Sequence, residues 1–229
     1  MQVFTAICTG LGLSAACGLR VFLPLFIFSI AVRASTGGTV QWVHVPEGVQ
    51  WMGDTPALVL FGVATVIEII GFLFPWVDHV LDLLAAPLSA AAGALLMTCM
   101  MLGVASGPDA AIHPAVAWSL GIIAGAATAT GVETASIAGR VSSSVLTIGW
   151  LNPIYAFIES ALALILGIIA IVVPLLAGLL VMFLVPIFMF AAWRLLAWRR
   201  KQKRAHEERL RKARERIAAN MAQRAAAGS

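Results

Sequence analysis

Apolar residues run along this chain in blocks of roughly 20, covering about 4–32, 56–75, 87–106, 114–139, 151–173 and 175–198, with polar positions gathered between them. Wound as helix, blocks of that length match the hydrocarbon thickness of a bilayer, so the pattern predicts an all-α integral membrane protein with about six transmembrane segments. Pro75, Pro87, Pro114, Pro153 and Pro174 punctuate the blocks. Each marks a place where a helix starts, stops or kinks, because the ring removes a backbone donor. The first block would make about 43 Å of straight helix against a hydrocarbon core of about 30 Å. Gly10, Gly12, Gly18, Arg20 and Pro24 lie in its middle and predict a tilt or a break there.

The two halves repeat faintly. Ser14-Ala15-Ala16-Cys17-Gly18-Leu19-Arg20-Val21 lies against Thr134-Ala135-Ser136-Ile137-Ala138-Gly139-Arg140-Val141 at an offset of 120, and Trp51 with Trp150 and Pro75 with Pro174 match at an offset of 99. Three segments per half would turn the second copy upside down relative to the first, the build of many secondary transporters. The expected organisation is a transmembrane domain over 1–198 and a basic tail over 199–229. The domain holds repeats at about 4–106 and 114–198, each opening on a broken helix. The Gly- and Val-rich stretch 34–54, unique to the first half, is read within an external segment 33–55.

Charge sharpens the picture. The chain is 61% hydrophobic and 11% charged, outside the soluble globular class. Residues 194–229 hold 12 basic and 3 acidic side chains, whereas 1–193 hold 8 acidic and 3 basic, Arg20, Arg33 and Arg140. A Lys/Arg cluster directly after an apolar helix keeps its flank cytoplasmic, which with six spans makes both termini cytoplasmic. Arg199, Arg200, Lys201, Lys203 and Arg204 are the residues expected against anionic lipid headgroups, and Glu207 to Met221 reads as a helix. Nucleic acid is not an expected partner. Cys8, Cys17 and Cys99 fall in apolar runs as packing residues. No basic stretch or cleavage site flanks 4–32, so it is read as retained membrane structure rather than a signal peptide.

Ionisable groups in hydrocarbon are costly and mark functional sites by default. Arg20, Glu68, Glu133, Arg140 and Glu159 fall inside the apolar blocks, and a single polar pocket would gather them. Two arginines against three carboxylates leave one acid over, a candidate for proton or cation binding, while an anion would engage the arginines. The competing role is structural, ion pairs that set helix register. Asp78, His79 and Asp82 stand on adjacent turns, and their ligand types suit a metal with Glu68 or Glu159 added. The plainer reading is an acidic first turn facing the helix dipole. No nucleophile–base motif, phosphate loop or dinucleotide fingerprint is present, so neither an enzyme nor a cofactor is expected. Small-residue spacings such as Gly121/Gly125 promise close helix packing within the fold, with association of copies left open.

Gly12-Leu13-Ser14-Ala15-Ala16-Cys17-Gly18-Leu19-Arg20 followed by Pro24, Glu68 with Pro75 and Asp78-His79, and the segment from Arg140 to Glu159 together resemble a family of bacterial inner-membrane proteins defined as a domain of unknown function. The resemblance covers about 10–165 and leaves out the tail. It implies a common membrane fold in the bacterial inner membrane and supplies no activity. Where the family pattern implies polar residues, this chain has Phe72 and Leu73, and Ser160 stands where an acid is implied. The leading expectation is a small-solute or ion transporter with Arg20, Glu68, Glu159, Arg140 and Glu133 around a central site. The alternative is a non-transporting scaffold or assembly protein acting through its basic tail.

Overall fold

A computed structural model describes residues 2–36, 47–71, 75–106, 112–147 and 152–187, together with positions 190, 194 and 197. The side chains at 75–83, 138, 140–147 and 152–153 lie outside the described part. Seven α-helices follow in order among the described residues: α1 Gln2–Cys17, α2 Phe22–Thr36, α3 Thr55–Gly71, α4 Pro75–Ala105, α5 Pro114–Thr147, α6 Asn152–Val172 and α7 Pro174–Ile187. A 3-10 helix, Glu47–Gly53, precedes α3. The chain divides into two compact units, Met1–Met189 and Phe190–Ser229. Of the second, the three described positions are helical.

The prolines act as the sequence leads one to expect. Pro75, Pro114 and Pro174 each stand first in a helix, where the missing N–H would have had no intrahelical partner and the fixed φ suits the turn. Pro87 is the exception, carried inside α4.

Three helices are long and apolar enough to cross a membrane, or up to four if the 3-10 helix and α3, bent by 59° at their junction, count as one span. The others, α1, α2 and α7, are apolar but shorter. Large apolar side chains point outward on α3 (Leu60, Val63, Ile67) and α7 (Leu179, Met182, Phe183). An apolar exterior of this kind belongs against lipid.

At the centre runs α1, buried almost throughout from Cys8 to Cys17 and packed against α4, α5 and α6. Close approach depends on missing side chains: a Cβ on Gly12 would lie 2.7 Å from Ala170 Cβ and 2.9 Å from Ala177 Cβ. The broadest seam joins α4 to α5, where a Cβ on Gly125 would meet Gly93 backbone and lie 2.7 Å from Met97 Cβ. Gly125→Leu is therefore expected to force the two backbones apart and lower stability by about 1–3 kcal/mol or more. A thermal-unfolding scan of the purified protein checks this, with Gly125→Ala falling in between.

Two expectations need correction. The break predicted for the first helix of the second half is absent, since α5 runs unbroken through Arg140 to Thr147. The first half follows Arg20 with Pro24, whereas the corresponding position 144 is serine; without a proline or paired glycines nothing interrupts the i→i−4 ladder. The stretch 33–55 is also not simply an external loop. Residues 47–53 fold back onto α2, with Met52 fully buried, its carbonyl accepting from the Ser29 hydroxyl, and Gly53 against the backbone of Arg33. Arg33 Nη1 then reaches Thr55 Oγ1 at 3.1 Å.

Candidate functional site

Between α1 and α2 the chain breaks at residues 18–21, and among the described residues Arg20, Glu68, Glu133, Ser136 and Glu159 are buried around that break. In hydrocarbon every backbone donor must find an acceptor within the protein. The N–H groups of Gly18, Leu19 and Arg20 turn back onto the carbonyls of Ser14, Ala15 and Ala16 at 3.0–3.2 Å, closing the end of α1. From Val21 onward a new helix begins, and its first donors have no partner in their own chain segment. Arg20 and Val21 are not capping residues, so the cap comes from α3. Glu68 Oε1 accepts from Val21 N–H at 2.7 Å and Glu68 Oε2 from Phe22 N–H at 3.0 Å. Pro24, in the same first turn, has no N–H to satisfy. The carboxylate also meets the positive end of the helix dipole.

Arg20, held at the break, reaches in a different direction. The residue is 2% exposed, and Nη2 donates to the Ala156 carbonyl on α6 at 2.7 Å while lying 3.8 Å from Glu159 Oε2. One helical turn separates Ala156 from Glu159, so a single guanidinium can span carbonyl and carboxylate. The other carboxylate oxygen, Glu159 Oε1, accepts the Ser136 hydroxyl of α5. The Ala156 carbonyl also accepts from Ser160 Oγ at 2.9 Å. Arg20 and Glu68 interact electrostatically, which ties the α3 cap to the α6 contact.

Glu133 is buried on α5, one turn before Ser136. Gly18 lets the break approach this helix: a Cβ there would meet the Ala129 carbonyl and lie 2.7 Å from Val132 Cβ and 3.0 Å from the Glu133 nitrogen. A cavity of about 180 Å³ opens beside the cluster, lined by aliphatic residues that include Leu19, Val132 and Leu162. Those three neighbour Arg20, Glu133 and Glu159 in sequence or on the helix face, yet the carboxylates and guanidinium stay buried among themselves.

Of the residues singled out from sequence, Arg20 and Glu159 are thus in direct contact, Glu68 sits at the same break, and Glu133 is buried alongside it. The side chains of Arg140, Asp78, His79 and Asp82 lie outside the described residues, as do Arg199, Arg200, Lys201, Lys203 and Arg204. Among the described residues no group of three or more His, Cys, Asp or Glu is placed to hold a metal ion. Ser136 and the Ala156 carbonyl were not foreseen. Ser136 had a weak signal in its spacing of three from Glu133, whereas a backbone carbonyl has none.

The family model described as "Domain of unknown function (DUF4126)" matches residues 7–194. That span takes in the whole cluster and stops short of the basic tail. No curated protein and no solved structure matches the chain.

Proposed function

This chain belongs to the DUF4126 family, and we propose that it is a small-solute or ion transporter of the bacterial inner membrane, built around the break between α1 and α2. Six spans, three per half, and cytoplasmic termini complete this reading, with α1 and α2 together forming the first. The observation that carries it is the meeting of Arg20 with Ala156 and Glu159, and of Glu159 with Ser136, at a point where a helix is interrupted inside an apolar body. Interrupted helices expose backbone groups and dipole ends at the depth where transporters hold their cargo. Ionisable groups at such depth are kept for ion or solute pathways. A protein that needed only rigidity could fill the same space with aliphatic side chains at equal or better stability.

Uptake of a panel of labelled small ions and solutes into liposomes carrying the purified protein tests this. Arg20→Lys keeps the charge but replaces the planar guanidinium whose Nη2 donates to the Ala156 carbonyl and faces Glu159. It is expected to reduce flux at least roughly tenfold, the equivalent of one charge-assisted hydrogen bond of about 1.5–3 kcal/mol, and to lower the melting temperature less than Arg20→Ala does. Removal of residues 199–229 is expected to leave flux intact. A protein with no flux for any solute, or one whose cellular role vanishes with the tail alone, would be a scaffold instead.

A further inference from the structure

The cavity beside the break is apolar throughout. It holds about 180 Å³, and its eleven described lining residues, drawn from α1, α5, α6 and α7 together with Leu19 of the break, are all aliphatic. Ala15, Val132, Leu166 and Val181 are buried and form its floor, whereas Leu162 and Ile165 of α6 and Leu184 of α7 are exposed and form its rim. The rim continues the outward apolar face of those two helices, on which Ile168, Leu179 and Met182 are also exposed. The cavity is thus a recess in the surface that the bilayer covers, and its floor reaches the break.

Its depth is set by α6. The stretch Ile154–Val172 is long and apolar enough to cross a membrane, and the lining residues Leu162 to Ile169 occupy its middle turns. An outward-facing recess at mid-span meets hydrocarbon, since the bilayer core holds no water. Water would in any case be a poor filling, because a buried water needs several polar partners, and an aliphatic cavity of about 150 Å³ stays dry and takes up benzene or xenon instead. Left empty, the walls forfeit their dispersion contacts. Lipid tails are as apolar as leucine, so a tail entering from the bilayer restores those contacts with no polar group to desolvate.

We propose that this cavity is a binding site for a single hydrocarbon chain, the acyl tail of a bilayer phospholipid that enters between α6 and α7 and ends against Leu19 of the break. The site goes beyond the transport reading and needs only the membrane fold. It is distinct from the lipid that coats the outer faces of α3 and α7, because its floor residues are buried within the bundle.

The experiment places the full chain in phosphatidylcholine liposomes doped with a phosphatidylcholine that bears a diazirine near the end of one acyl chain. After irradiation, adducts are mapped by mass spectrometry. They are expected on the segments that carry Val132, Leu166 and Val181 as well as on the outward face of α3 around Ile67. Leu184→Trp, a change at the exposed rim, is expected to cover the mouth and lower floor labelling severalfold while labelling around Ile67 stays unchanged. Ala15→Leu fills the floor from α1 and is expected to do the same; should it fail to fold, the rim variant carries the test. Labelling confined to outward-facing residues overturns the proposal, as does floor labelling that Leu184→Trp leaves unchanged. An unlabelled floor in a protein whose copies cross-link through α6 and α7 would assign the cavity to a second copy instead. Floor labelling in a protein that moves nothing across liposomes would sink the transport reading and leave the acyl-chain site standing. Solute flux with an unlabelled floor would do the reverse.

Discussion

Arg20→Ala is expected to give the largest loss of stability of any single substitution in the body, about 3–5 kcal/mol, because it strips a buried carboxylate of its counter-charge. Glu159 would keep the Ser136 hydroxyl but lose the guanidinium beside Oε2, while the Ala156 carbonyl would still hold Ser160. Most of the loss is thus a penalty on the remaining partner rather than the worth of the contact. The double variant Arg20→Ala with Glu159→Gln removes that penalty and is expected to recover part of it. Chemical or thermal unfolding of the wild type, Arg20→Ala, Glu159→Gln and the double variant in the same detergent measures the cycle. A double variant no more stable than Arg20→Ala would show that Glu159 is not the group Arg20 neutralises.

Glu68→Ala comes second and acts on the backbone. It deprives the Val21 and Phe22 N–H groups of their acceptors at once, and hydrogen bonds to a charged group contribute about 1.5–3 kcal/mol each. The expected loss is about 3–5 kcal/mol, concentrated at the start of α2. Glu68→Gln should fall between: its carbonyl can serve one donor, but its NH₂ would confront the other. Hydrogen exchange resolved to 21–23 distinguishes this from general softening, since the first turn of α2 should open before α1 or α4. Uniform acceleration across all helices would argue against a local cap.

The apolar blocks and their prolines were enough to place α3 and α6 and the starts of α5 and α7, because a helix in hydrocarbon must satisfy its own backbone and a proline at its start has nothing to lose, whereas α4 begins at Pro75 and runs through Pro87, where the block was read as starting. The break in the first block was legible for the same reason: Gly18, Arg20 and Pro24 cluster where the run is too long to be straight. That logic failed in the second half. The likeness of Gly139-Arg140-Val141 to the first copy suggested a second break, yet α5 is continuous, since similarity of a few small residues does not carry the proline that follows in the first copy. The 3-10 helix 47–53 was also missed, because its burial against α2 depends on neighbours such as Ser29 and Val32 rather than on its own pattern.

What this chain's sequence determined alone was a set of apolar helices, the place where one of them breaks, and the short list of buried charges that must answer to one another. Which charge answers to which was decided by the tertiary fold. Arg20 lies against Glu159 of α6, Glu68 caps α2, and Ser136 and a carbonyl of α6 join the site. Periodicity is a local property, set by how each residue's neighbours along the helix meet lipid or protein. Partnership between residues more than a hundred positions apart depends on how closely helices approach, and here glycines such as Gly12, Gly18 and Gly125 let them come into contact.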